Sequence, residues 1–188
     1  MDREQALVIL NEHVKNLNLT RHMLAVEAAM RDYAQSFGKD ADEWGIVGLL
    51  HDFDWEIHPD LDQHPQEGAP ILRERGVPEH IIQSILSHAE HTGVPRHSRM
   101  DRALYACDEI TGLISAVALV RPSKSIHDVK VRSIRKKWKD ARFAANVNRE
   151  EIELAAEEFG IDLWEHVENV LRSMQRIASE LGLNGEPV

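Results

Sequence analysis

Apolar side chains recur along this chain at intervals of three and four residues, the spacing of one helical face. No segment alternates in the two-residue rhythm of a strand, so the pattern predicts an all-α fold. A first helix starts near Asp2 or Arg3 and repeats Ala6, Leu7, Leu10 and Val14. Thr20 is the predicted cap of a second, which carries His22 in its first turn and the stripe Met23, Val26, Ala29, Met30 and Tyr33 before stopping at Gly38. A third runs from about Asp42 through Trp44, Ile46, Val47, Leu49 and Leu50 into His51-Asp52. Residues 53–65 lose the pattern and hold two prolines and four acids, which reads as a loop over a site.

Helical spacing returns in QEGAPILRER, which ends at Gly76, and Pro78 opens a fifth helix, PEHIIQSILSHAEH, ending near Gly93. A long sixth helix runs from about Met100 to the break at Arg121-Pro122. A short basic helix is predicted around residues 129–139, and two further helices close the chain. There is no internal repeat and no linker, so residues 1–188 read as one domain, large enough to bury roughly 70% of its unfolded surface.

Composition narrows the classes. The single cysteine, Cys107, allows no internal disulfide and suits a reducing compartment. The first residues lack the basic start and cleavage site of a secretory signal, and the longest largely apolar run, 113–120, is far below the roughly 20 residues of a membrane span. The expectation is a cytoplasmic protein without a membrane partner. A net charge of −10 opposes DNA as a partner, while homo-oligomers stay open. The charge is segregated, however: residues 121–142 hold nine Lys or Arg against two acids. That segment reads equally as an anion-binding wall or as a solvated helix face.

Among eleven histidines, His22, His51, His64 and His88 stand at or near helix ends beside apolar stripes, where their side chains could converge. His51 and Asp52 point about 100° apart on a helix. Such neighbours chelate one ion poorly, but they can serve two, with the imidazole on one and the carboxylate bridging to the other. Asp108 interrupts an apolar stretch, where a buried carboxylate without a partner costs several kcal/mol. A metal ion would supply the partner.

This order of residues, with His22 first, then His51 and Asp52 in LLHDFD, then Asp108 in YACDEITGLI, resembles the HD superfamily of metal-dependent phosphohydrolases. His64 in QHPQEGAPIL and His88 in ILSHAEHTG match the extra histidines of its dinuclear members. The likeness covers about residues 17–120, leaving the basic segment and C-terminal helices of 121–188 outside it. It is nearest to small bacterial predicted HD hydrolases and more distant from HD-type diadenosine tetraphosphate hydrolases.

The resemblance implies a helical bundle with two divalent transition-metal ions, Fe, Mn, Co or Zn. His22, His51 and Asp108 would hold the first, His64 and His88 the second, and Asp52 would bridge. His91 could replace His88, join it, or hold it from behind, with both on one helix face; His58 is a weaker outsider. His13, His80, His97, His127 and His166 read as surface or capping residues, and Cys107 as buried filler.

The implied reaction is hydrolysis of a phosphorylated small molecule, a nucleotide phosphomonoester, phosphoanhydride or phosphodiester, by a metal-bound hydroxide. No GxxxxGK[ST] loop is present to cradle phosphates. Arg121 and Lys124, backed by Lys130 and Arg132, are candidates to grip the phosphate, unless they only complement the C-terminal end of the sixth helix. Asp54 and Glu56 are candidate proton shuttles or solvated loop residues. A di-iron oxygenase and a non-catalytic binding or signalling domain remain alternatives on the same residues.

Overall fold

The computed structural model describes residues 1–185; residues 186–188, the end of the expected domain, lie outside it. Among the described residues the secondary structure is nine α-helices and two 3₁₀ turns, with an isolated bridge between Ser125 and Asn184 and no sheet. No helix among them is long and apolar enough to cross a membrane. The chain clusters into two compact units, the first spanning Met1–Tyr105 and the second beginning at Ala106.

The first unit contains α1 (Arg3–His13), α2 (Leu17–Ser36), α3 (Ala41–Leu50), α4 (Gly68–Glu74), α5 (Glu79–Ser87), a 3₁₀ turn (Glu90–Thr92) and the start of α6 (Arg99–Leu119). Short polar side chains set the helix starts. Asp2 and Gln5 form a reciprocal capping box on α1, and Asp40 accepts from the amides of Asp42 and Glu43 on α3. Asn16, rather than Thr20, caps α2 by accepting from Asn18 and Leu19. Nothing between Asn16 and Thr20 breaks a helix, so the earlier cap prevails.

Helices α2 and α3 approach closely at Gly48, where a Cβ would lie 2.9 Å from the Glu27 amide nitrogen and 3.0 Å from its Cα. The absent side chain lets α3 lie against α2 with His51 three residues further on. Glu27, buried on α2, receives the Arg3 guanidinium at 2.5 and 2.9 Å, tying α1 to the same pair. After Leu50 the chain passes through irregular turns until α4, as the lost periodicity predicts.

α5 ends four residues before His91. Ala89 leaves helical geometry at φ −99°, ψ 118°, and the Thr92 hydroxyl donates to the carbonyls of Leu86 and Ala89. His88 and His91 therefore do not share one helix face, contrary to the expectation of a continuous helix. The start of α6 is fixed by Asp101, which accepts from the amides of His97 and Ser98 and from the Ser84 hydroxyl.

In the second unit, α6 leads into a 3₁₀ turn (Ile126–Asp128), α7 (Val131–Trp138), α8 (Arg149–Phe159) and α9 (Leu163–Arg176). α9 packs on α7 and α8. Asn148 caps α8, and Asp162 caps α9. The Arg149 guanidinium gathers the carbonyls of Trp138, Phe143 and Val147, holding the irregular stretch before α8. His166, expected as a surface or capping residue, is instead fully buried on α9, with its Nε2–H donating to the Ala106 carbonyl at 2.7 Å. Burial lowers its pKa to about 4, more than the Ala106 carbonyl raises it.

Candidate metal centre

Four histidines and an aspartate of the first unit meet around the end of α3. His22 comes from α2, His51 is the residue that ends α3, Asp52 follows it, His64 lies in the turns before α4, and His88 ends α5. Both helix-ending histidines turn their rings back on their own helices. His51 Nδ1 lies 2.8 Å from the Gly48 carbonyl and His88 Nδ1 lies 2.5 Å from that of Ile85. A carbonyl only accepts, so each Nδ1 carries the proton and each Nε2 keeps its lone pair. His64 is set likewise, because its Nδ1 donates to Asp54 Oδ1 at 2.8 Å. Helix ends thus supply both the position and the tautomer of His51 and His88.

Asp52 lies between two pairs of these nitrogens. Its Oδ2 is 3.7 Å from His22 Nε2 and 3.6 Å from His51 Nε2, while its Oδ1 is 3.2 Å from His64 Nε2 and 3.5 Å from His88 Nε2. The two Nε2 atoms of His22 and His51 stand 3.2 Å apart. Asp52, His64 and His88 are compact enough to offer one ion three ligand atoms. Donors that each sit about 2.1 Å from a shared ion stand about 3.0–3.4 Å apart, so these separations fit coordination with little adjustment. Ring nitrogens crowded around one carboxylate, in a site where His51 is fully buried, call for positive charge between them, carried by a proton or by a metal ion.

Without an ion, protons on the histidines occupy the place a metal would take. Burial would raise the Asp52 carboxyl, but the charge of His51 and hydrogen bonds from His64 and His88 hold it well below the usual range. Burial likewise pulls His64 down, yet the carboxylates on its two nitrogens, Asp52 and Asp54, outweigh this and raise it to about 9. The centre is built for positive charge. His22 and Asp52, with side chains 22% and 16% exposed, mark its open side.

Around these residues lies a supporting layer. Asp54 is fully buried, and its second oxygen, Oδ2, has no hydrogen-bond partner. A Cβ at Gly68 would come within 2.6 Å of that carboxylate, so the glycine leaves it room. His91 Nε2 donates to the backbone carbonyl of His64 at 2.7 Å and steadies the turn that carries it. Glu56 accepts from the amides of Lys15 and Asn16, at 2.8 and 2.9 Å, and pins the loop to the α1–α2 connection. Trp55, which the periodicity does not single out, lays its indole perpendicular to the His64 ring with centroids 4.9 Å apart.

Asp108 stands in the second unit on α6, one helical turn past Leu104 and Tyr105, partly buried among the buried neighbours Ala106, Cys107 and Ile110. Arg121 and Lys124 follow the end of α6, and about 16 Å of helix rise separates Asp108 from Leu119. The Arg121 guanidinium donates to Ser133 Oγ at 3.3 Å. Lys130 and Arg132 line a shallow depression together with Arg135, Trp164 and the acids Asp162, Glu165 and Glu168. Cys107 is buried, and burial first, then the Asp108 charge, pushes its thiol up, away from reactivity. His58 is half-buried in the loop, and His80 pairs with Glu43 at the surface.

A family model described as the HD domain matches residues 19–113, the stretch that contains all six expected ligands. No curated protein and no solved structure matches the chain.

Proposed function

Because this chain belongs to the HD-domain family, we propose that it is a metal-dependent hydrolase acting on a phosphorylated small molecule. One observation carries the reading. A single carboxylate, Asp52, turns one oxygen to His22 and His51 and the other to His64 and His88, with the tautomers of His51, His64 and His88 set so that Nε2 faces inward. That is the arrangement two ions sharing a bridge require, and Asp108 is the third protein ligand of the ion between His22 and His51 in this proposal.

Divalent ions held there supply a Lewis acid for phosphoryl oxygens and a water of lowered pKa. The chain's own part is positional. Asp52 sets the spacing of the two ligand pairs, and Asp54 holds His64 through Nδ1. His91 steadies the backbone of that residue, and the exposed edges of His22 and Asp52 define the side from which a phosphate arrives. The cations at Arg121, Lys124, Lys130 and Arg132 are not needed to neutralise the phosphate in this scheme.

Metal analysis of protein purified without chelators, paired with phosphate release from a panel of phosphate esters, tests the reading. Close to two divalent ions per chain and release on at least one ester are expected. Asp52→Ala should lose both ions and turnover while the helical circular dichroism persists. Oxygen consumption without phosphate release would replace hydrolysis by oxygenase chemistry, and a stoichiometry of one ion would remove the bridge.

A further inference from the structure

The sequence contains four tryptophans. Trp44 is buried and Trp138 and Trp164 are half-buried, whereas Trp55 is 36% exposed. An indole left in water forgoes a large apolar burial, so its placement calls for a reason. It is neither remote nor adrift. Its amide donates to the Asp52 carbonyl at 3.0 Å, and its ring meets His64, whose Nε2 points at Asp52. The exposed indole therefore borders the candidate metal centre directly. Ile57 and Leu61 on the same loop are exposed as well, 42% and 59%, although two of the loop's four acids are engaged, Asp54 by His64 and Glu56 by backbone amides.

A charged centre with an aromatic surface at its rim complements a ligand of matching polarity: an anionic head for the centre and a planar body for the indole. We infer that Trp55 is a specificity-determining residue that stacks the base of a nucleoside monophosphate while its phosphate lies at the Asp52 centre. Stacking on an aromatic side chain tolerates any base, so the residue selects nucleotides as a class over sugar phosphates. The inference rests on the phosphohydrolase reading above and names its substrate class.

Binding is tested with two phosphonates in which a methylene replaces the ester oxygen and blocks hydrolysis: the analogues of AMP and of ribose 5-phosphate. Calorimetry on the manganese-loaded full chain should show the AMP analogue bound at least tenfold more tightly than the ribose analogue. Trp55→Ala should abolish that preference, Trp55→Phe should keep most of it, and the ribose analogue should bind all three proteins alike. A preference absent from the native chain, or one that survives Trp55→Ala, overturns the inference, as does an equal loss of both ligands in Trp55→Ala, which would mark a structural role. If the native chain binds neither phosphonate, this inference fails by itself, while phosphate release from the ester panel decides the phosphohydrolase reading separately; no release from any ester overturns both.

Discussion

Asp54 sits two residues beyond Asp52, the bridging carboxylate of the proposed centre, and reaches that centre through His64. An ionised acceptor on Nδ1 makes Nε2 a stronger donor and fixes the ring, and removing such a partner typically costs 10–100-fold in metal affinity. Asp54→Asn keeps the shape and removes the charge. It should weaken the ion between His64 and His88 by that factor and leave the other ion in place, a split that competitive chelator titration resolves; two ions retained at native affinity would exclude the role. The residues that meet here are legible in the sequence, because His22, His51-Asp52, His64 and His88 are distinctive types beside apolar stripes. The choice between His88 and His91 is not, since it hangs on a helix break at Ala89 that no proline or glycine announces. Asp54 and Trp55 escape for a related reason: in a loop without periodicity, local pattern does not tell a buried acid or a ring beside a ligand from solvated ones.

Helix contacts set the geometry that these residues inherit. Gly48 both admits the close approach of α2 to α3 and lends its carbonyl to His51. Gly48→Ala should cost about 1–3 kcal/mol of stability, because the new methyl meets the Glu27 backbone rather than a side chain that can swing aside. Denaturant unfolding measures the cost, and native stability in the variant would show that the helices can separate freely. The helix count and order follow from apolar spacing, whereas ends follow from capping, so the start of α2 shifts from Thr20 to Asn16. The basic stretch teaches the opposite lesson. Its charge is plain in the sequence, yet its place is set by the length of α6. Arg121→Ala should leave kcat/KM on a phosphate ester within about twofold and lower stability by about 0.3–1 kcal/mol, the scale of a cation near a helix C-terminus. A tenfold kinetic loss with native stability would return Arg121 to the substrate.

For the molecule as a whole, acid should act through His166 as well as through the candidate metal centre. This histidine is neutral and buried in the folded chain, with a pKa near 4 against 6.5 for the ordinary side chain. The unfolded chain therefore binds more protons between those values, and stability rises with pH there. The contribution is complete above about 6.5 and is lost as pH falls towards 4, roughly 2 kcal/mol between pH 7 and pH 5. Urea unfolding of native and His166→Gln protein at both pH values measures it, and the variant should show the smaller decline. The ring anchors of His51 and His88 bear on supply. Each ring is fastened to a carbonyl three residues back in its own chain, so its pose does not wait for an ion. Where metal and folding are one event, stripping the metal unravels the protein. Here the empty chain should keep its helical spectrum and refill without a lag. Geometry that is already in place, with mixed nitrogen and oxygen donors, screens first-row ions weakly. In the proposed centre the ion at work would then be whichever one the surroundings deliver, exchanged within a standing scaffold as their metal content changes.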